Sequence, residues 1–122
     1  MNEQFVLHRH VGHGTTHFDL MLEHGVALAT WQFETDPAEA DLANPLGCHL
    51  LPSHRREYLD YEGPVSFSRG HVERVDRGAL ELVNVQEGQW RFRLSGERLK
   101  GLFEIRVVES YHQDWALRRL GD

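Results

Sequence analysis

From Gly63 onward the chain is a series of short β-forming runs separated by glycine-bearing connectors, a pattern that few folds accept. Val65 to Val75, Ala79 to Val85, Trp90 to Leu94, Leu102 to Val108 and Trp115 to Leu120 each read as strands, with Gly78, Gly88, Gly96 and Gly101 between them. Spacing of this kind belongs to all-β sandwiches and barrels. Three earlier runs share the period of two: Phe5 to His10, the strictly alternating His17 to Glu23, and Val26 to Phe33. His24-Gly25, between the last two, is short enough for a hairpin turn. Glu34 to Asn44 carries no strand signal. Within it, Asp36 to Ala40 fits one helical turn with Pro37 at the first helical position. Ser53 to Tyr61 is polar and aromatic and fits a short helix or an ordered loop. No linker, repeat or low-complexity segment divides the chain. The expectation is one domain over residues 1–122: all-β, mostly antiparallel, a small β-barrel with one or two short helical segments.

A chain of 122 residues buries enough surface to fold without a metal or a disulfide. Hydrophobic residues are 40%, charged residues 26% and the mean hydropathy is -0.51, a soluble globular composition. No apolar run approaches the length of a membrane span, and Met1-Asn2-Glu3-Gln4 lacks the basic start of a signal peptide. The lone Cys48 has no internal disulfide partner, which fits a reducing compartment. A cytoplasmic protein without membrane partners is expected. The net charge of -6 excludes a wholly basic, histone-like binder, so nucleic acid must be met through a local basic patch. Lys100 is the only lysine among the 13 basic residues; the others are arginines, whose planar forks suit phosphate or carboxylate. The nine histidines are the sharper anomaly.

Along a strand, residues two apart project from one face. His17, Asp19 and Met21 therefore share one side of their run, and Phe18, Leu20 and Leu22 make a core face on the other. If the first two runs pair, His10 lies beside His17 and Asp19, and two imidazoles and a carboxylate converge from one hairpin. Such a set, with positions left open, is a common catalytic metal arrangement. His8 faces the same way as His10, so period alone does not choose between them. His13 falls at the turn tip, exposed to solvent. In His54-Arg55-Arg56-Glu57-Tyr58, the histidine and tyrosine share a face if the stretch is a helical turn. An imidazole there would serve as acid, base or phosphate ligand, and Arg55 and Arg56 as an anion clamp. No P-loop, no Gly-x-Gly-x-x-Gly turn, no cysteine-based zinc finger and no Gly-x-Ser-x-Gly elbow is present. Trp31, Trp90 and Trp115 lie in strand patterns and read as core.

Phe5-Val6-Leu7-His8-Arg9-His10 followed by His17-Phe18-Asp19-Leu20-Met21-Leu22-Glu23 resembles the opening of the 3′-phosphoesterase domain of bacterial ligase D, the end-processing module of the non-homologous end-joining ligase. The likeness continues through Gly25 to Trp31, His54 to Gly63, Gly70 to Gly78 and Gly96 to Gly101, to the Trp115 run, in order. Small stand-alone relatives of that domain are the nearest in kind. The resemblance implies a β-barrel with a manganese-dependent site that removes 3′-phosphates and 3′-ribonucleosides from DNA or DNA/RNA 3′ ends in repair. A separate ligase or end-binding protein is the implied partner and Mn(II) the implied metal, whereas the intrinsic affinity of two imidazoles and a carboxylate favours Zn(II). By position it assigns His10, His17 and Asp19 to the metal, preferring His10 to His8, and His54 and Tyr58 to catalysis. Met21, Thr35, Leu46 and Pro52 stand where the family domain has Arg, Lys, Arg and Glu. The resemblance therefore implies weakened phosphate contacts, with Arg9, Arg55, Arg56 or Arg69 as substitutes, and weak turnover. Two other classes compete. His17-x-Asp19 with His54 also fits a non-heme iron oxygenase triad, though no arginine is placed for an oxo-acid co-substrate. A non-catalytic module that binds metal and DNA ends is the other.

Overall fold

Alternation resolves into nine strands and one short helical turn. The computed structural model describes residues 3–109 and 111–122; Met1 and Asn2, half of the N-terminal stretch without a signal-peptide charge, lie outside the described residues. The strands are β1 (Glu3–Val11), β2 (His17–His24), β3 (Ala27–Phe33), β4 (Leu46–Arg55), β5 (Gly63–Pro64), β6 (His71–Gln86), β7 (Gln89–Ser95), β8 (Lys100–Glu109) and β9 (Asp114–Gly121). They pair in the order β1-β2-β3-β4-β9-β8-β7-β6, and β6 returns to β1. Eight antiparallel strands thus close a barrel, and β5 is a two-residue flap on β6. Closure removes the exposed edges on which sheets aggregate.

One face of each alternating run fills the barrel. Leu20, Leu22, Trp31, Phe33, Phe103 and Leu117 are among the inward, fully buried side chains. Trp90 and Trp115 pack edge-on to Trp31 with ring centroids 5.1 and 5.6 Å away, so the three tryptophans are core. Eight strands make an interior just wide enough for side chains. Chemistry is left to the outside of the wall.

Three local expectations are corrected. Asp36 to Ala40 forms no helical turn: the Asp36 carboxylate accepts the Ala38 N–H at 2.9 Å and its carbonyl the Glu39 N–H at 3.1 Å, an Asx turn. Asp41 repeats the device at Ala43 and Asn44, and Leu42 within that second turn is buried in the core cluster. Val65 to Gly70 is a tight loop instead of strand, closed by the Val65 N–H on the Gly70 carbonyl at 2.8 Å, with positive φ at Phe67 and Ser68. Gly78 is no connector. β6 runs through it for 16 residues, pairing β1 with its first part and β7 with its second. A Cβ at Gly78 would lie 2.2 Å from the Ser95 carbonyl oxygen, so glycine is what permits the strand to turn from one neighbour to the other.

A second, smaller apolar cluster lies on the outer face: Val6, Met21 and Leu28 from the wall, with Leu59 and Tyr58 packed on them. The last two belong to the 3-10 turn Arg56–Leu59. Arg56 is ion-paired with Glu23, a buried carboxylate that also accepts the Gln4 N–H at 2.7 Å. Apolar contact and ion pair together fasten this turn as a roof over β1, β2 and β3. The described residues contain no helix long and apolar enough to cross a membrane.

Candidate active site

Register decides which side chains meet under that roof. His10 faces His17 and His8 faces Asp19 across β1 and β2, Met21 faces Thr30 across β2 and β3, and Leu28 faces His54 across β3 and β4. Cross-strand partners share a face, so all of these residues lie on the outside of the barrel. His54 reaches it through an irregularity: two steps along β3, Leu28 to Thr30, match three along β4, Leu51 to His54, leaving Pro52 and Ser53 in a bulge. His54 is thus on a strand end rather than on the expected helical turn, yet it still meets Tyr58, ring centroids 5.9 Å apart and edge-on. The result is a cleft of about 170 Å³ walled by His8, His10, Asp19, His54, Tyr58 and Arg69, with Met21 at its floor. His17 flanks it, with its Nε2 3.2 Å from the Thr15 hydroxyl. His13 is exposed at the turn tip and stacks on His10 at 6.0 Å.

The protons of two imidazoles are fixed by backbone. His10 Nε2–H donates to the Arg69 carbonyl at 2.7 Å, and His54 Nδ1–H donates to the Pro52 carbonyl at 3.1 Å. In the neutral ring the other nitrogen carries a lone pair, as a metal ligand or base requires. Gly70 secures the first contact: a Cβ there would lie 1.9 Å from the Val11 carbonyl oxygen, so only glycine lets the Arg69 loop lie this close to β1. Burial lowers the His8 pKa to about 4, helped by Arg74 and opposed by Glu62, and the ring is neutral at pH 7. Burial raises the Asp19 carboxyl above its usual range, against the pull of His54, His10 and His17. Gln32 hydrogen-bonds the Asp19 carboxyl, yet among the described residues His8 Nε2 and Asp19 Oδ1 are buried with no hydrogen-bond partner. Each such atom costs about 1–3 kcal/mol. Imidazoles, a carboxylate and two buried unpaired atoms, one of them on the neutral His8 ring, are the ligand types that suit a divalent transition metal.

A family model for the DNA ligase D 3′-phosphoesterase domain matches residues 8–106. The chain belongs to that family. The match includes every residue of the cleft, and it supports a 3′-phosphoesterase-type function at DNA ends in repair, in general terms. No curated protein matches the chain.

Against the ligase D domain, the basic residues are distributed unequally. Arg69 alone among those expected at the phosphate walls the cleft; its guanidinium lies 5.6 Å over the exposed Phe67 ring, and its Nε–H donates to Ser66. Arg9 stands outside it, paired with Glu73 at 2.9 Å. Arg55 pairs with Glu57 at 3.2 Å and lies 5.9 Å over the outer side of Tyr58. Arg56 is held by Glu23. Met21, where the resemblance implies an arginine, is 1% exposed in the apolar cluster. Thr35 and Pro52 are exposed, and Leu46 packs on the core.

A second cluster was not expected. Glu109, His112 and Asp114, at the β8–β9 turn, bring donor atoms within 4.8 Å of one another, a spacing that, among the described residues, His10, His17 and Asp19 do not reach; His49 Nδ1 is 2.8 Å from Asp114. Its signal is Glu109-x-x-His112-x-Asp114. Glu109 accepts the N–H groups of Tyr111 and His112, which hold its carboxyl below the usual range, so its evident work is to close the turn. Cys48, beside this end of β4, is buried with its thiol pushed up to about 12 by desolvation, and is no nucleophile.

Proposed function

We propose that the chain is a divalent-metal-dependent phosphoesterase that removes 3′-phosphates or 3′-ribonucleosides from DNA or DNA/RNA ends, with His10, His17 and Asp19 holding the metal. The observation that carries the reading is Asp19. Its unpartnered, buried oxygen sits among imidazoles inside the stretch matched by the family. Manganese is the metal the family suggests, and zinc the one with higher intrinsic affinity for such a set. When bound, the metal would polarise a phosphoryl oxygen and make a bound water more acidic.

The remaining roles fall to the chain. His54, with Nδ1–H on the Pro52 carbonyl, presents Nε2 to accept a proton from the attacking water and return it to the leaving 3′-oxygen. Tyr58, wedged between His54 and Tyr61, holds that imidazole in place and closes the cleft above it. Arg69 supplies the fixed positive donor that Met21 does not, at the rim of the cleft where a terminal phosphate arrives. We place the protein in the cytoplasm, acting beside a separate ligase or end-binding protein.

A gel of labelled primers bearing a 3′-phosphate, a 3′-ribonucleotide or a 5′-phosphate tests this reading. Slow, manganese-dependent conversion of the first two to a 3′-hydroxyl is expected, with the third untouched; equal loss of the 5′-phosphate would overturn it. A second reading, an end-binding module without turnover, is favoured by Met21 alone. Its mark would be metal-dependent binding of the 3′-phosphate primer with no product over many hours.

A further inference from the structure

His8 has no role in the reading above, and three observations give it one. Its side chain walls the cleft, 1% exposed, with Nε2 lacking any partner. Its cross-strand neighbour Asp19 carries the other unpartnered buried atom of the cleft. His8 and His10 are two apart on β1, and their partners Asp19 and His17 are two apart on β2, so the four form a square on one face of a two-stranded ladder. Gln32 hydrogen-bonds the Asp19 carboxyl, but a buried imidazole nitrogen kept next to the one unpaired carboxylate oxygen is costly unless something binds both. Resting on the proposed metal site, and going beyond it, we propose that His8 is a ligand of the same metal, making the set three imidazoles and one carboxylate. A third nitrogen donor moves the site's preference from manganese towards zinc, because imidazole suits zinc while carboxylate and water suit manganese.

Two measurements test this without relying on turnover. In the wild-type protein loaded with Zn(II), long-range proton–nitrogen NMR of the histidine rings reads coordination nitrogen by nitrogen. The expected spectrum shows three coordinated imidazoles, with His8 bound through Nε2. Coordination at His10 and His17 with the His8 ring unmoved would overturn the inference and leave the proposed metal site standing. No coordinated ring in the cleft would overturn both. In parallel, calorimetry of His8→Gln, a substitution of similar size, should show zinc affinity falling about tenfold or more and manganese affinity falling less. Unchanged zinc affinity in a folded His8→Gln protein would contradict the assignment.

Discussion

The role proposed for His54 is separable from its contribution to the fold. It is half-buried at a strand end, and its fold contacts are the Pro52 carbonyl and the edge of Tyr58. His54→Ala should cost under about 0.5 kcal/mol and leave the melting temperature within a few degrees. Primer turnover should fall by about 10²–10⁴. A collapse in melting temperature would make it a structural residue. Met21 is the opposite case. At 1% exposure it belongs to the cluster that seats the roof, and it also lines the cleft. Met21→Arg should lower the melting temperature, at a cost of about 1–3 kcal/mol, while raising the primer rate per folded molecule. Loss of stability without gain in rate would mean that a guanidinium there does not reach the phosphate. The face carrying these residues was readable from alternation in His17 to Glu23. The proton positions on His10 and His54 were not, because they depend on carbonyls of Arg69 and Pro52 that only the fold delivers.

At the level of elements, strong alternation was legible and irregularity was not. β1, β2, β3, β7, β8 and β9 lie where the runs placed them, whereas β4 was not among the runs, and its end, Ser53 to Arg55, fell in the stretch expected as a short helix or ordered loop. Pro52 interrupts it, Cys48 is its one buried hydrophobic residue, and proline is tolerated there because β9 pairs only with Leu46 to His49, leaving the Pro52 side without a ladder to supply. β6 was divided in two because a glycine inside a strand looks like a turn. Beside that glycine, Asp76 carries an element almost alone. Its buried carboxylate accepts the N–H groups of Arg77, Glu97, Arg98 and Leu99 at 2.8, 2.9, 3.1 and 2.7 Å, fixing the β7–β8 turn to β6. Asp76→Ala should cost about 2–4 kcal/mol in urea unfolding and expose those amides to hydrogen exchange before the rest of the barrel. A loss under about 0.5 kcal/mol would show that water replaces the carboxylate.

For the molecule as a whole, barrel closure makes stability depend on strands far apart in sequence, and one carboxylate ties three of them. Glu104 on β8 is 2% exposed and accepts hydrogen bonds from Arg91 on β7 at 3.0 Å and Arg118 on β9 at 3.1 Å. Burial pushes its pKa up, but the two arginines outweigh it and hold the group below its ordinary 4.5. The unfolded chain therefore takes up this proton first as pH falls. The stabilisation is complete above about pH 4.5 and is lost as pH drops through the lower folded value. Glu104→Gln should cost about 1–2 kcal/mol at pH 7, since both arginines are half-exposed, with the gap to wild type shrinking at pH 3.5. A gap unchanged with pH would contradict the sign. The same closed wall, filled inside, confines chemistry to its roofed outer face, and the central claim concerns that face. Phosphate release from a 3′-phosphate primer, measured for wild type and Asp19→Asn with manganese and with a chelator, tests it most directly. Release in wild type that the chelator and the substitution each abolish, with the melting temperature of Asp19→Asn no lower than that of wild type, is the predicted result. Release that survives both, or a manganese-bound wild type that releases none, would contradict it.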